Sequence, residues 1–354
     1  MKVLILSSSA SIHTQRWVNS LAKVGLDIVL VSQHKPIGEF NASVRYYQLK
    51  DYGELGYFLH AGQVRKIIRN EAPELVHAHF ASGYGTLAKN TGVKYILSVW
   101  GSDVYEFPDK SFMHRWLLKR SLNSAIALFS TSHCMKKRTA EFTNKSISVI
   151  PFGVETESFY KRSSTSDTFH IGLVKVLNEK YGIDVLLKAF SILINNSKSK
   201  SLKLSIAGDG PKAAEYKLLA EELGISKYTN FLGWIDNKDV PRFLAGLDLF
   251  AIPSRWDGES FGVVAVEAGA ASLPCVVSDV GGLPEVIIDG ETGIVVPKDD
   301  FVLLAEAMQS LIDDEDHRVS LGSAARHRVK EQYEWSENVD SMYGYYRKIA
   351  GEIG

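Results

Sequence analysis

Short apolar runs alternate with helical patterns along the first half of the chain. The run VLILSS at residues 3–8 shows no polar alternation, which is typical of a strand buried on both faces. A helical pattern follows it and ends at Gly25, a residue type that often caps helices. Further strands are predicted at residues 27–32, 74–80, 94–100, 125–131 and 146–153. Strands that alternate with helices predict a parallel sheet covered by helices.

The same alternation restarts after residues 157–170, a stretch rich in Ser, Thr and charged residues that we interpret as a linker. Helices are predicted over residues 182–195 and 211–224, and strands at residues 171–177, 202–208, 229–234, 247–254, 273–279 and 292–297. The whole pattern predicts an α/β fold of two doubly wound, Rossmann-like domains that face each other across a cleft. We expect residues 1–160 in the first domain and 161–334 in the second, with a final helix, 335–354, packed back on the first domain.

Charge is distributed unevenly between these halves, although the net charge of the 354-residue chain is only −1. Residues 1–160 contain 19 Lys and Arg against 12 Asp and Glu, and the remaining residues contain 21 against 29. The basic first half suggests an anionic surface or an anionic substrate as its partner. No apolar run approaches the roughly 20 residues that span a bilayer, and no signal peptide is evident after Met1. We therefore expect a cytoplasmic protein, with peripheral attachment to the inner face of the cell membrane as a further option.

The most informative stretch is ESFGVVAVE, residues 259–267, in which an apolar segment carries a carboxylate at each end. Glu259 is predicted in the loop after a strand, and Glu267 in a helix that begins near Gly262. Eight residues of helix span about 12 Å, roughly the distance from a ribose to a sugar across a diphosphate. Glu267 could then bind the ribose hydroxyls and Glu259 the sugar. The first amides of the helix, at Gly262 and Val263, would bind the diphosphate, unless the segment is only an amphipathic helix with two exposed acids.

Three other loops after predicted strands in the second half carry candidate ligand-binding groups. Lys175 and Lys180 could neutralise a diphosphate leaving group, or could be ordinary surface lysines. The stretch AGDGPKAA contains G-x-G-x-x-A, but the next strand does not end in the acidic residue that a dinucleotide site needs, so Asp209 is interpreted as part of a tight turn. Gly281 and Gly282 would let the backbone approach a ligand closely, or would form a simple turn.

Polar side chains likewise follow predicted strands in the first half. His77 and His79 lie on one face of a strand end, because the side-chain period of a strand is two. The pair could bind a metal, but the sequence offers no third ligand, and we favour a His that lines the cleft. Asp103 in VWGSDVY could position or deprotonate an acceptor hydroxyl. His13 lies in a loop of small residues that suits the close approach of a ligand.

Residues 110–122, KSFMHRWLLKRSL, interleave Lys110, Arg115, Lys119 and Arg120 with aromatic and aliphatic residues. A helix of this kind could lie at an anionic bilayer surface, with its aromatic residues among the headgroups. The alternative is a core helix with a solvated basic face.

Taken together, these stretches resemble the retaining glycosyltransferases of the GT-B fold, family 4, also called glycosyl transferases group 1. The Glu-x7-Glu motif of that family reads here as ESFGVVAVE, and further patterns of the family match at residues 150–159, 208–211 and 278–297. The resemblance extends over nearly the whole chain. Three features depart from the family. Lys175 stands where Arg is usual, and Trp100 stands where a His is common, so no role of that His carries over. The N-terminal loop has Ser and Ala where many members have two glycines.

The resemblance and the positions of these loops together predict which residues form the site. The donor site would comprise Gly208, Asp209, Trp234, Ile235, Glu259, Phe261, Gly262, Val263 and Glu267, with Trp234 and Ile235 at the nucleobase. Catalysis would rest on Lys175 and Lys180 at the diphosphate, with Glu259 and Asp103, and the acceptor side would hold His13, His79 and Asp103.

The resemblance implies a metal-independent enzyme that needs no cofactor and does not bind nucleic acid. It would move a sugar from a UDP- or GDP-sugar, with retention, to a glycan or an undecaprenyl-diphosphate-linked sugar, in the assembly of bacterial surface polysaccharide. A nucleotide-sugar epimerase or hydrolase is the alternative within enzymes. A catalytically silent subunit that only binds a nucleotide-sugar is the alternative outside them.

Overall fold

Two compact units make up the protein, each built around one parallel sheet. The computed structural model describes residues 1–160, 168–196 and 201–353. Unit 1 comprises Met1–Pro151 and Ser336–Gly354, and unit 2 comprises Phe152–Trp335. The strands pair in parallel throughout both sheets of the described chain. The predicted α/β class with two parallel sheets is therefore confirmed.

Unit 1 contains a seven-stranded sheet with helices between the strands. Its strands are β1 (Lys2–Leu6), β2 (Asp27–Ser32), β3 (Arg45–Gln48), β4 (Leu75–His79), β5 (Ile96–Ser98), β6 (Ala127–Ser130) and β7 (Ile147–Val149). They are arranged in the order β3-β2-β1-β4-β5-β6-β7. Its helices up to residue 140 are α1 (Ile12–Lys23), α2 (Gly56–Leu59), α3 (Ala61–Glu71), α4 (Gly83–Thr91), α5 (Ser102–Tyr105), α6 (Phe112–Ser124) and α7 (His133–Ala140).

Unit 2 contains a six-stranded sheet. Its strands are β8 (Thr168–Val174), β9 (Ser201–Ala207), β10 (Thr229–Gly233), β11 (Leu249–Ile252), β12 (Cys275–Ser278) and β13 (Gly293–Val296). They are arranged in the order β10-β9-β8-β11-β12-β13. Its helices are α8 (Ile183–Asn196), α9 (Ala213–Glu222), α10 (Val240–Ala245), α11 (Val263–Ala270), α12 (Leu283–Val286), α13 (Phe301–Asp313) and α14 (Glu315–Gln332).

The last helix, α15 (Trp335–Ile353), runs within unit 1 from residue 336 onward. Its Tyr346 is fully buried, and the phenol hydroxyl hydrogen-bonds Nδ1 of His77 at 2.6 Å. The ring of Tyr345 contacts Phe129 of β6, with 5.0 Å between ring centroids. None of the helices that the structure describes is long and apolar enough to span a bilayer.

The sequence pattern accounts for most element boundaries through recognisable local signals. Gly25 adopts a φ of +90° just after α1, as predicted for a cap. Its amide donates to Ala22 O at 3.1 Å and the amide of Leu26 donates to Leu21 O at 3.2 Å, the two bonds of a Schellman motif. Strand β3 was not predicted, because this edge strand reads RYYQ, contains no buried residue and lacks an apolar run.

The division between the units lies nine residues before the predicted boundary at residue 160. Residues 152–160 are held to unit 2 by hydrogen bonds: Val154 N donates to Tyr333 O at 2.9 Å, and Thr156 Oγ1 donates to Glu334 at 2.6 Å. Of the predicted linker, residues 161–167 lie outside the described residues. The positions from Thr168 onward belong to β8.

In each sheet the strand order reverses direction at one point. In unit 1 the reversal lies between β1 and β4, and in unit 2 it lies between β8 and β11. Loops diverge there at the carboxyl ends of the strands, which leaves a crevice where ligands bind in open parallel sheets. Both crevices are therefore the places to look for functional side chains.

Candidate active site

The crevice of unit 2 brings together two predicted residues that lie 84 positions apart. Lys175 follows β8, and Glu259 lies in the loop after the neighbouring strand β11. Lys175 Nζ lies 2.9 Å from Oε1 and 2.8 Å from Oε2 of Glu259. Ser254 Oγ donates to Oε2 of the same carboxylate at 3.1 Å. The two charged side chains are only 14% and 9% exposed, so they form a largely desolvated ion pair.

This pairing differs from the roles predicted for the two residues. Lys175 was assigned to a diphosphate, whereas in the structure its ammonium group is held by Glu259 and lies 4.7 Å from the centroid of the Tyr181 ring. Because both oxygens of Glu259 accept hydrogen bonds, its negative charge is largely compensated within the protein. The pair therefore gives the crevice a positioned carboxylate and a positioned cation at once.

The second predicted cation, Lys180, lies in the loop between β8 and α8. Its Nζ lies 4.0 Å from the centroid of the Trp256 ring, a cation–π contact with the loop after β11. The backbone joins the same two loops, because the amide of Arg255 donates to Lys180 O at 3.0 Å. Lys180 is half-buried, and its ammonium is thus positioned by the loop that also carries Glu259.

Glycines allow these loops to approach one another. Gly208 has a φ of +132°, and a Cβ atom there would collide with the carbonyl oxygen of Lys175. Gly281, at φ +53°, packs in the same way against the carbonyl oxygen of Glu259. The amide of Gly282 donates to Glu259 O at 2.7 Å. Gly281 and Gly282 were predicted to let a ligand approach or to form a simple turn, and in the structure the backbone of residues 259–261 packs against both.

The Glu-x7-Glu stretch is half loop and half helix. Helix α11 begins at Val263, after Gly262 with a φ of +83°, so only the second half of the spacing is helical and the predicted span of about 12 Å does not apply. Glu267 is half-exposed on α11. The first amides of an α-helix lack partners within the helix, which suits the start of α11 to an anion.

Phe261 belongs to the interior of unit 2. It is 3% exposed, and its ring lies 5.5 Å from that of Tyr333 and 6.4 Å from that of Phe152, centroid to centroid. Its predicted contact with a donor could involve only its backbone. The buried ring instead anchors the loop that leads into α11.

The remaining predicted donor residues also follow strands of this sheet. Trp234 is 71% exposed directly after β10, an unusual exposure for so large an apolar side chain, and Ile235 beside it is half-buried. Asp209 lies in a tight turn after β9, where its carboxylate accepts a hydrogen bond from the amide of Gly210 at 2.7 Å. The turn is tied to the Lys175 loop, because Leu177 N donates to Asp209 O at 3.0 Å.

In unit 1, the two strand-end histidines are internal. His77 is fully buried, and its ring nitrogens hydrogen-bond Tyr346 at 2.6 Å and Ser98 at 2.8 Å. His79 is 3% exposed and hydrogen-bonds Ser7 Oγ at 3.0 Å through Nδ1. Burial lowers the pKa of His77 to about 3 and lowers the pKa of His79 well below its usual value, so both rings are neutral at pH 7. The prediction was that a strand-end histidine such as His79 lines the cleft. In the structure His79 is buried instead.

No group of three or more His, Cys, Asp or Glu side chains within the described ranges could hold a metal ion.

His13, the other predicted acceptor-side histidine, is half-buried, and its ring centroid lies 6.2 Å from that of Trp100. Burial and the neighbouring Arg16 lower the pKa of His13 to about 4. Its neutral ring thus contributes hydrogen-bonding capacity but no charge at pH 7.

Asp103 serves the backbone in this structure. The carboxylate accepts hydrogen bonds from the amides of Ala81 at 2.7 Å, Gly101 at 2.9 Å and Trp100 at 3.1 Å, and the residue is 1% exposed. Burial raises the pKa of Asp103, and the backbone hydrogen bonds oppose that shift. This geometry gives no support to the predicted contact with an acceptor hydroxyl. It instead fixes the loops that follow β4 and β5.

A cavity of about 590 Å³ lies in unit 1 beside these residues. Its walls come from the segments that follow β1, β2, β4 and β5 and from helices α2, α4, α5 and α6. The lining residues are Ser8, Ser11, His34, Glu54, Tyr57, Phe58, Phe80, Ser82, Gly83, Tyr84, Thr86, Ser102, Glu106, Phe107, Lys110, Met113, His114 and Leu117. The sequence analysis named residues adjacent in sequence to some of these, such as His79 and Asp103, but did not predict the cavity. Its walls come from segments that lie up to about 100 residues apart in the chain.

One backbone feature marks this cavity. Phe80 has a φ of +68°, a left-handed conformation that costs a residue with a side chain roughly 1–2 kcal/mol. Hydrogen bonds hold it there, since Phe80 N donates to Ser98 O and Gly85 N donates to Phe80 O, both at 2.9 Å. Its ring packs edge-on against Trp100, with 5.2 Å between centroids. Such strain is retained mostly at functional positions.

Two family models match the chain, one for each unit. The model described as Glycosyl transferases group 1 matches residues 154–328. The model described as Glycosyl transferase 4-like matches residues 2–132. Both crevices lie within these matches.

Individual proteins are similar over almost the full length. N-acetyl-alpha-D-glucosaminyl L-malate synthase from Bacillus anthracis is 28% identical over 344 residues, which cover 90% of this chain and 86% of that protein. Among solved structures, sucrose-phosphate synthase from Thermosynechococcus elongatus has a TM-score of 0.85 at 20% identity, covering 99% of this chain and all of the other. Anabaena HepE in complex with UDP and glucose has a TM-score of 0.79 at 17% identity, covering 98% of this chain and all of the other.

The residues matched by the two family models include strands β8 to β13 of unit 2 and strands β1 to β6 of unit 1. Each unit is a doubly wound α/β structure, and the group 1 match includes the Lys175–Glu259 pair and helix α11. The chain therefore belongs to the glycosyl transferases group 1 and has the GT-B glycosyltransferase fold.

Proposed function

We propose that the protein transfers a sugar from a UDP- or GDP-sugar to a glycan or lipid-linked acceptor, with retention and without a metal ion. The observation that carries the proposal is the buried Lys175–Glu259 pair in the crevice of unit 2, close in sequence to the start of α11. A sugar diphosphate needs both positive charge at its phosphates and hydrogen-bond acceptors at its hydroxyls. These two kinds of group come together in this unit.

Donor binding follows from the chemistry of the crevice. Glu267 would accept hydrogen bonds from the ribose hydroxyls, and the first amides of α11 would bind the diphosphate. Trp234, which is 71% exposed, would contact the nucleobase. The similarity to Anabaena HepE, which was solved with UDP and glucose, supports a nucleotide-sugar as the donor class.

The state of Glu259 disfavours one route to retention, the route through a covalent glycosyl-enzyme intermediate. The two oxygens of Glu259 accept hydrogen bonds from Lys175 and Ser254, so the carboxylate is a weak nucleophile. We therefore favour attack by the acceptor hydroxyl on the face from which the diphosphate leaves. The bond from the anomeric carbon to the diphosphate breaks, the bond to the acceptor oxygen forms, and the acceptor proton passes to the departing diphosphate. Lys180 would stabilise the negative charge that grows on that group.

A screen of UDP- and GDP-sugars tests the function directly. A donor at about 100 times its Kd should stabilise the protein by about 2.7 kcal/mol. With that donor, NMR of the product should find the anomeric configuration of the donor, and activity should persist in EDTA. An inverted product or strict dependence on added Mg²⁺ contradicts the proposal, and equal donor consumption without any acceptor favours an epimerase or hydrolase.

Glu267→Ala is expected to weaken binding of the nucleotide-sugar and of the free nucleoside diphosphate to the same extent, because the ribose is common to both. A hydrogen bond to a charged group contributes about 1.5–3 kcal/mol, so the Kd should rise roughly 10- to 100-fold in calorimetric titrations. Glu306→Ala, which changes an exposed acid on α13, is the control and should leave both constants unchanged. Unaltered binding of free nucleotide by Glu267→Ala would show that this carboxylate does not hold the ribose.

We also propose that unit 1 meets its acceptor at an anionic membrane surface through α6. Leu118 and Leu122 of this helix are buried, as in a core helix. The same helix also exposes Phe112 by 85%, Met113 by 57% and Trp116 by 56%. The cations predicted around them lie on the exposed or half-buried parts of this segment. Exposed aromatic residues among cations favour the membrane interpretation.

Changing Arg115, Lys119 and Arg120 together to Glu is therefore expected to abolish sedimentation with anionic vesicles. Each cation near such a surface contributes about 1 kcal/mol, so partitioning should fall at least about 100-fold. The control reverses three exposed lysines of unit 2, Lys217, Lys227 and Lys238, and should retain binding. Equal sedimentation with neutral vesicles, or equal loss in both triple variants, would leave α6 without this role.

A further inference from the structure

We propose that the cavity of unit 1 holds the apolar chain of an amphiphilic acceptor, whose sugar or other polar head lies at the loops after β1, β4 and β5. This inference rests on the proposed transfer to an acceptor and decides between the two acceptor classes given above. A free glycan would leave the aromatic and aliphatic part of the cavity wall uncovered. An alkyl or isoprenoid chain would find a wall of the matching chemistry.

The walls of the cavity combine polar groups with apolar surface. The hydroxyl side chains of Ser8, Ser11 and Ser82 come from loops at the crevice of the sheet, and that of Ser102 comes from the start of α5. Further polar and charged side chains line the cavity, namely His34, Glu54, Thr86, Glu106, Lys110 and His114. The apolar part of the wall is made of aromatic and aliphatic side chains, namely Tyr57, Phe58, Phe80, Tyr84, Phe107, Met113 and Leu117. The cavity therefore offers both kinds of surface that an amphiphilic ligand presents.

The phenol group of Tyr84 is already engaged within the protein. The hydroxyl of Tyr84 already hydrogen-bonds Ser32 at 3.0 Å and His34 at 2.8 Å, so the ring is what this residue offers to a ligand. The strained Phe80 lies in the loop after β4 and also lines the cavity. A cavity of about 590 Å³ lies within the range of about 300–1,000 Å³ that is usual for ligand pockets.

Apolar surface continues from the cavity to the outside of the unit. Phe58 and Met113 line the cavity and are also 47% and 57% exposed. On the same two helical segments, Leu55 and Leu59 are 67% and 63% exposed, and Phe112 is 85% exposed. Exposed apolar side chains that border a cavity mark a binding surface rather than scattered surface residues. A chain that resides in a membrane could therefore enter the cavity along these apolar side chains.

The test uses methyl, hexyl and octyl β-D-glucoside as probes, each below its micelle-forming concentration and without any donor. The sugar is constant in this series, and only the alkyl chain lengthens. Calorimetric titration of the full-length protein should give an affinity that rises by about fourfold for each added methylene that is buried. An affinity that does not change with chain length would overturn the proposal.

Substitutions at the mouth of the cavity separate the cavity from nonspecific detergent binding. Phe58→Ser and Met113→Ser should each weaken octyl glucoside binding roughly tenfold, because they remove apolar contact with the chain. Leu218→Ser removes a side chain of α9 in unit 2 that is 55% exposed and does not line the cavity, and it should leave the affinity unchanged. Equal loss in all three variants would overturn the proposal. Failure of glycosyl transfer itself would appear separately, as no turnover of any nucleotide-sugar while the chain-length dependence persists.

Discussion

Lys180→Ala is expected to lower kcat by about 10²- to 10³-fold while changing the KM for the donor far less. Negative charge on a diphosphate grows as the sugar departs, so a cation beside it stabilises the transition state more than the bound donor. Lys180 is the candidate for this role because its Nζ lies 4.0 Å from the centroid of the Trp256 ring, on the loop after β11 that also carries Glu259. Steady-state kinetics with a saturating acceptor measure the split between kcat and KM.

Two further lysine variants make this test specific. Lys180→Arg keeps the positive charge and should retain much more activity than Lys180→Ala. Lys188→Ala removes a half-exposed lysine of α8 whose Nζ lies 3.8 Å from Asp184, and it should leave kcat unchanged. If Lys180→Ala kept the wild-type kcat, or if only the donor KM rose, the growing charge would have to be stabilised by another group.

Much of the fold could be predicted because buried strands and amphipathic helices leave direct marks on the sequence. The strands near the switch points are apolar runs, as in β1, where Val3 to Leu6 are fully buried. Strand β3 was not predicted, because an edge strand can form without such an apolar run. The loops that carry function could be located for the same reason, since they follow the strands that could be recognised.

The pairing within the site could not be predicted from the sequence. Lys175 and Glu259 are neighbours because β8 pairs with β11, with Ile171 opposite Leu249 and Gly172 opposite Phe250. Local periodicity does not reveal which strands pair across about 80 residues of sequence. Both residues were therefore predicted as site residues, but they were assigned to different parts of a donor. The close packing of the loops also depends on Gly281, which has no side chain. From the sequence alone, the space beside this glycine could be assigned either to a ligand or to neighbouring backbone, and the structure places Glu259 O there.

Burial was the second property that the sequence left open. A polar residue at a strand end can face the crevice or the helices that cover the sheet. His79 and Asp103 lie inside unit 1, where they hydrogen-bond Ser7 and three backbone amides. The cavity that does open there is lined by their sequence neighbours, Phe80 and Ser102. A shift of one residue along the chain thus separates a residue that supports the loops from one that can contact a ligand.

Lys175→Met is expected to lower the free energy of unfolding by about 3 kcal/mol. The side chain of Glu259 is only 9% exposed, and the substitution removes its cationic partner. Breaking a buried ion pair by removing one partner typically costs about 3–5 kcal/mol. Urea titration measures the loss. The matched control is Lys298→Met, which breaks an exposed pair with Asp257 at 3.1 Å and should cost about 1 kcal/mol or less.

The double variant Lys175→Met with Glu259→Gln decides what the pair contributes. Removing both charges also removes the cost of the isolated carboxylate, so the double variant should regain most of the stability that Lys175→Met loses. Its catalytic activity should nevertheless remain low, because the positioned carboxylate proposed to bind the donor sugar is gone. Stability and activity would then separate, which is the behaviour expected of an ion pair retained for function. If the double variant were instead as unstable as Lys175→Met alone, the loss would come from packing of the lysine chain, and the charge of Glu259 would not be what Lys175 compensates.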